Sequence, residues 1–100
     1  MPSHHPISEG DEYRRSLERA LSEDGVDFAA AARVLEVLRL TLERNPFGWQ
    51  KVPGLTRSYF AKTKRVTTAA GFVPGLHVMF SIADDGRVTL LHAGIHYPIL

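Results

Sequence analysis

Apolar and polar residues alternate most clearly over residues 76–100, LHVMFSIADDGRVTLLHAGIHYPIL. Two runs rich in aliphatic, β-branched and aromatic side chains flank Asp84-Asp85-Gly86, and an Asp-Gly pair between such runs predicts a β-hairpin. With Asp85 and Gly86 as the two turn residues, Asp84 faces Arg87 and Ala83 faces Val88. Period-two alternation then puts Leu76, Val78, Phe80 and Ile82 on a core face together with Thr89, Leu91, Ala93 and Ile95. The opposite face receives His77, Met79 and Ser81 from one strand, and Val88, Leu90, His92, Gly94 and His96 from the other. Three histidines thus gather on one side of the hairpin.

Upstream the spacing changes to that of helices. Tyr13, Leu17, Ala20 and Leu21 recur at i, i+4, i+7 and i+8, which predicts an amphipathic helix over 11–21 with Arg14, Arg15, Glu18 and Arg19 in water. Ser8 is its expected cap, and Glu9, Asp11 and Glu12 suit the positive end of the helix dipole. Ser22-Glu23-Asp24-Gly25 breaks it, and Asp27 is the expected N-cap of a second helix over 28–44. Ala31, Val34, Leu35, Leu38 and Leu42 form the buried stripe of that helix. Val37 and Leu40 widen the stripe, so the helix is expected to touch both its neighbour and a sheet. Asn45-Pro46 ends it, because a residue preceding proline avoids helical dihedrals. Two helices joined by a few residues predict an antiparallel helical hairpin.

Between the helices and the closing hairpin, Trp49 is expected to lie as a lid between the second helix and the sheet. Lys51-Val52-Pro53-Gly54 predicts a turn, and residues 55–67 a strand. Its alternation puts Tyr59, Ala61, Thr63 and Arg65 on one side and Phe60, Lys62, Lys64 and Val66 on the other, so Lys62 and Lys64 share a face. Residues 68–75 either lengthen the flanking strands or form a mobile flap, and the pattern leaves both open. The first ten residues, with two prolines and two histidines, read as a flexible or loosely docked lead-in with a short edge strand near 6–8; His4 and His5 are expected to be solvated and inert. The expected fold is α+β: a helical hairpin on one face of a small antiparallel sheet, in a single domain over 11–100.

Composition narrows the function. One hundred residues with 44% hydrophobic content hold one core. There is no cysteine, so disulfides and thiolate metal sites play no part. No apolar run reaches the ~20 residues of a membrane span, and MPSHHPISEG lacks the basic and apolar regions of a signal peptide, so a cytoplasmic protein without a membrane partner is expected. The net charge is only +1, but it is divided unevenly. Residues 1–50 carry six Arg against nine acids, while residues 51–100 carry six Lys and Arg against two. An anionic ligand would therefore meet the sheet.

In this order the chain resembles the RelE/ParE superfamily of toxins from bacterial type II toxin–antitoxin systems. The resemblance runs through the helical hairpin ending in Leu42-Glu43-Arg44-Asn45-Pro46, the Gly54-Leu55 turn, the basic strand, and the closing hairpin. The last is matched by Leu76-His77-Val78-Met79-Phe80, Asp84-Asp85-Gly86 and Gly94-Ile95-His96-Tyr97. It implies a RelE/ParE-like fold, a cognate antitoxin as partner, the ribosome and mRNA as targets, and neither cofactor nor metal. The family's ribosome-dependent ribonucleases carry lysines on the basic strand, an arginine on the next strand, and a terminal arginine, histidine or tyrosine. The matching positions are Lys62 and Lys64, His77 in place of the arginine, and His96 with Tyr97. These five are the catalytic candidates, with Arg57, Arg65 and His92 assigned to substrate binding.

Such cleavage needs a base for the 2′-hydroxyl, cations for the developing charge and an acid for the leaving oxygen. Lys62, Lys64 and Arg65 can supply charge, although alternation turns Arg65 to the other face; His77, His92, His96 and Tyr97 can move protons. Each also has a plainer explanation, the lysines as solubilising edge charges and His92 as a packing residue between Leu91 and Ala93. A zinc site is disfavoured, since the histidines lack helical HxxxH spacing and no carboxylate completes a set. The ParE branch acts by binding DNA gyrase without acid or base, so the alternative expectation is a non-catalytic gyrase inhibitor or an inactive binding module on the same fold.

Overall fold

The computed structural model describes residues 4–96. Strand β1 (Ile7–Glu9) precedes helices α1 (Asp11–Ala20) and α2 (Phe28–Arg44), and a 3-10 turn at Pro46–Gly48 leads into β2 (Gln50–Lys51) and β3 (Ser58–Lys62). A small hairpin of β4 (Val66–Thr68) and β5 (Gly71–Val73) intervenes before the long strands β6 (Leu76–Ile82) and β7 (Val88–Ile95). The main sheet runs β1-β7-β6-β3-β2, with β4 and β5 forming a separate two-stranded sheet. Among these strands every pairing is antiparallel except β1 with β7, and a single parallel bridge joins Val26 to Phe72. The fold is α+β, with two helices and a mostly antiparallel sheet.

The core lies on one face of that sheet. Tyr13 of α1 and Leu38 and Leu42 of α2 pack with Tyr59, Ala61, Val78, Phe80, Ile82, Val88, Leu90 and Ala93. Trp49 is partly buried against this cluster, as a lid should be. Asp27 caps α2 as expected, accepting the Ala30 N–H at 3.0 Å. The cap of α1 differs: it is Gly10, with no side-chain bond, because Ser8 is paired in β1. Val37 and Leu40 remain 64% and 47% exposed, so the stripe of α2 is narrower than its sequence suggests. Val37 instead lines an apolar groove of about 390 Å³ with Val34, Leu38, Thr41 and Trp49.

The first ten residues are tied in rather than loose from His5 onward. The His5 N–H donates to the Glu43 carbonyl at 2.9 Å, the Val88 N–H donates to Pro6 at 2.9 Å, and Ile7–Glu9 pair with Val88–Leu90. The His5 ring donates through Nδ1 to the Gly86 carbonyl at 2.8 Å, so it is a structural buckle and not a solvated side chain. Where β1 ends, α1 takes over the edge of β7. The Ser16 hydroxyl accepts the Ala93 N–H at 2.9 Å while donating to the Glu12 carbonyl at 2.6 Å, so a helix side chain satisfies a strand donor.

Two strand expectations are corrected. The closing turn spans three residues, 84–86: Ala83 N–H donates to the Arg87 carbonyl, and Gly86 adopts φ 86°. Near the turn this shifts the register by one, so Val88 and Leu90 face the core at 0% and 5% exposure while Thr89 is turned outward. A bulge between Met79 and Phe80 absorbs the shift, and from His92 onward the pairing is the one expected: Met79 with His92, Val78 with Ala93, His77 with Gly94. The second correction concerns residues 55–67. Strand β3 stops at Lys62: the Thr63 N–H still donates to the Leu76 carbonyl at 2.8 Å, but the Leu76 N–H donates at 2.9 Å to the Thr63 hydroxyl rather than to its carbonyl. Lys64 and Arg65 lie in the connection that follows, and residues 66–73 form the β4–β5 hairpin rather than extending β3 or hanging free.

Candidate functional site

The outer face of the sheet, away from the helices, is built in rows by the strand registers. Gln50 pairs with Phe60, Phe60 with Met79, and Met79 with His92. One row along, Lys62 pairs with His77 and His77 with Gly94. Partners across antiparallel strands present their side chains on the same face, with Cβ atoms about 4.5–5.5 Å apart. The result is a strip with an aromatic–histidine row beside a lysine–histidine row. His96 stands at the end of β7, fixed by its N–H donating to the Gly75 carbonyl at 2.7 Å.

His77 is the centre of this strip. Gly94 opposite it carries no side chain, and a Cβ there would come within 2.7 Å of the His77 ring. The ring therefore lies across the β7 backbone. It stacks with His92 at 6.1 Å between centroids and meets the Phe60 ring edge-on at 5.9 Å. Partial burial, reinforced by His92, His96 and Lys62 nearby, pushes the His77 pKa below its ordinary value. His77 is accordingly neutral at pH 7, with one ring nitrogen free to accept a proton.

Gln50, Phe60, Lys62, His77 and His96 line a hollow of about 230 Å³. The Lys62 ammonium donates to Gln50 Oε1 at 3.3 Å. His92 sits beside the hollow, its Nδ1 3.5 Å from the Glu12 carboxylate of α1. Glu12 also pairs with Arg19 at 3.1 Å, which anchors it on the helix surface. Chemically the strip offers a cation, a neutral imidazole and further imidazoles around one opening, beside an aromatic ring.

The site candidates do not all converge. Lys62, His77, His92 and His96 come together. Lys64 does not share the strip, because β3 ends before it. Arg57 stands five residues from Lys62 toward the opposite end of the sheet, roughly 17 Å along the strand at about 3.3 Å per residue, where it pairs with Asp84. Arg65 is stacked on the Phe72 ring, its guanidinium carbon 4.2 Å from the centroid, on the β4–β5 hairpin. Tyr97 lies outside the described residues. Nothing in the sequence marks Gln50 or Glu12: Gln50 adjoins what reads as a turn, and Glu12 reads as one of several charges at a helix start. Alternation puts Phe60 on the Lys62 side, where it reads as plain strand. Gly94 carried the one available signal, since a glycine inside a strand marks a close approach.

Among the described residues, no three His, Cys, Asp or Glu side chains are arranged to hold a metal ion, and no helix is long and apolar enough to cross a membrane. Comparisons with protein-family models, with curated proteins and with solved structures returned no match.

Proposed function

We propose that this chain is the toxin of a type II toxin–antitoxin pair and cleaves mRNA on the ribosome without a metal. The observation that carries this reading is the convergence of Lys62, His77 and His96 on one open hollow. In the proposed step neutral His77 accepts the proton of a 2′-hydroxyl, whose oxygen attacks the adjacent phosphorus. The bond from phosphorus to the 5′-oxygen breaks, His96 donates the proton that oxygen requires, and a 2′,3′-cyclic phosphate and a 5′-hydroxyl remain. The Lys62 ammonium offsets the charge that grows on the phosphoryl oxygens. A cognate antitoxin belongs to this reading, and the apolar groove beside Val37 is its candidate contact.

Expression without a partner is expected to halt translation. Removing a general acid costs roughly 10²–10⁴-fold in rate and removing a charge-stabilising donor roughly 10²–10³-fold, so His96→Ala and Lys62→Ala should relieve the arrest while circular dichroism remains native. Undiminished arrest by these folded variants would sink the catalytic assignment. One observation favours the non-catalytic alternative, a gyrase inhibitor or a binding module. His77 stands where the resembling ribonucleases carry arginine, and its lowered pKa keeps it from supplying a fixed cation at neutral pH. That reading expects filamentation and DNA damage on expression while translation at first continues.

A further inference from the structure

We propose that the hollow bounded by Gln50, Phe60, Lys62, His77 and His96 seats a single unpaired nucleobase and prefers guanine to adenine. The inference rests on the reading of this face as an RNA site and specifies what it reads there. At about 230 Å³ the hollow is smaller than the roughly 300–1,000 Å³ of pockets that take drug-sized ligands, which suits one ring system better than a whole nucleotide. Phe60 presents a partly exposed ring, held edge-on to His77, as a stacking surface. Stacking on an aromatic tolerates any base, so the choice between bases falls to the polar rim.

That rim has a fixed polarity. An ammonium group donates and never accepts, so the Gln50 atom bonded to Lys62 is the amide oxygen, and the amide NH2 is left to the hollow. Lys62 thus turns the Gln50 amide so that its NH2 is the donor offered to a base, while the remaining ammonium protons serve the phosphoryl oxygens. Guanine offers two adjacent acceptors, N7 and O6, on its Hoogsteen edge, whereas adenine offers N7 beside an N6 donor. The acceptor nitrogen of His77 does not rescue adenine, because in the proposed chemistry it takes the 2′-hydroxyl proton. Adenine would set its N6 donor against the Gln50 donor.

Titration of the full chain with GMP, AMP and inorganic phosphate, followed by NMR, tests the inference. GMP is expected to shift Gln50, Phe60 and His77 signals and to bind about fivefold or more tightly than AMP, a good base contact being worth at least roughly that factor. Gln50→Ala, at an exposed position, should bring the two affinities together. Phe60→Leu should weaken both by a similar factor. Equal affinities in the native chain, or shifts confined to Lys62 and reproduced by inorganic phosphate, overturn the proposal. So does the absence of any shift. The parent reading fails separately: guanine preference with uninterrupted translation in cells removes cleavage and keeps the base site, and translational arrest without guanine preference does the reverse.

Discussion

At the scale of single residues, the pair His77 and Gly94 sets the chemistry of the outer face. The ring of His77 reaches His92 only because position 94 leaves room for it, and partial burial there keeps it neutral. Replacing Gly94 by alanine puts a methyl group within 2.7 Å of the ring, which must swing toward solvent. The titration midpoint of the His77 ring in proton NMR is then expected to lie below 6.5 in the native chain and to rise toward 6.5 in Gly94→Ala. A midpoint unmoved by the substitution would remove burial as the cause. The same shift has a stability consequence of definite sign. Folded His77 binds protons less readily than unfolded His77, so its contribution is present above pH 6.5 and is lost as pH falls through that value toward the folded midpoint. Tyr13 acts at the other extreme. Burial, with Glu9 nearby, raises its pKa from 10.0 to about 12, so its contribution is present below pH 10 and disappears as pH rises through about 12.

At the scale of elements, period-two alternation made the union of His77, His92 and His96 legible, since no bulge separates His92 from the far end of the hairpin. It misplaced Val88 and Leu90 because residues 88–91, Val-Thr-Leu-Leu, are apolar at three positions of four and fit either face equally well. Only the three-residue turn and its compensating bulge decide between the faces, and both are properties of paired strands. Lys64 escaped for a related reason. The composition of residues 63–67 suits a strand, and β3 ends where the Leu76 N–H, thirteen residues away, bonds the Thr63 hydroxyl in place of its carbonyl. Docking of the β4–β5 hairpin was equally invisible. Asp27 accepts from the Thr68 hydroxyl at 2.6 Å, Asp27 N–H donates to Phe72, and Phe72 N–H donates to Gly25, clasping the hairpin to the loop between the helices. The Thr68 hydroxyl, then the Ala30 N–H, lower the Asp27 pKa, so this clasp is kept above the ordinary carboxylate range and loosens as pH falls through the lowered value. Gly71 is where the clasp is tightest: its φ is +147°, and a Cβ there would fall 2.0 Å from the Gly25 carbonyl oxygen. A backbone atom cannot yield as a side chain can. Gly71→Ala is expected to cost about 1–3 kcal/mol in urea unfolding and to speed amide exchange at Phe72. Native stability in that variant would mean that the hairpin shifts at little cost.

At the scale of the whole molecule, helices and sheet divide the charge between them. The acidic half of the sequence supplies both helices, and the basic half supplies β3, β6 and β7, whose outer face carries Lys62 and the histidine strip. Of the cations in the basic half, the strand register brings Lys62, opposite His77, to the face that the helices leave uncovered. An RNA strand meeting this face displaces counterions in proportion to the phosphates neutralised, and for single strands log K falls against log salt with a slope of about −0.7 per phosphate. Near neutral pH, His77 adds nothing to that slope, because its lowered pKa keeps it uncharged. Acidification through the lowered His77 midpoint adds a cation directly opposite Lys62 in the strand register. Affinity for a short single-stranded RNA is therefore expected to rise as pH falls from 7.5 to below the His77 midpoint read by NMR, with a salt slope steeper by about 0.7 for each phosphate contact so gained. His77→Gln should reduce both the rise and the steepening, while Arg57→Gln, at the far end of the sheet, should leave both in place. A slope identical at the two pH values, or one altered as much by Arg57→Gln as by His77→Gln, would show that the strand does not run over the histidine strip, and would remove the site from that face altogether.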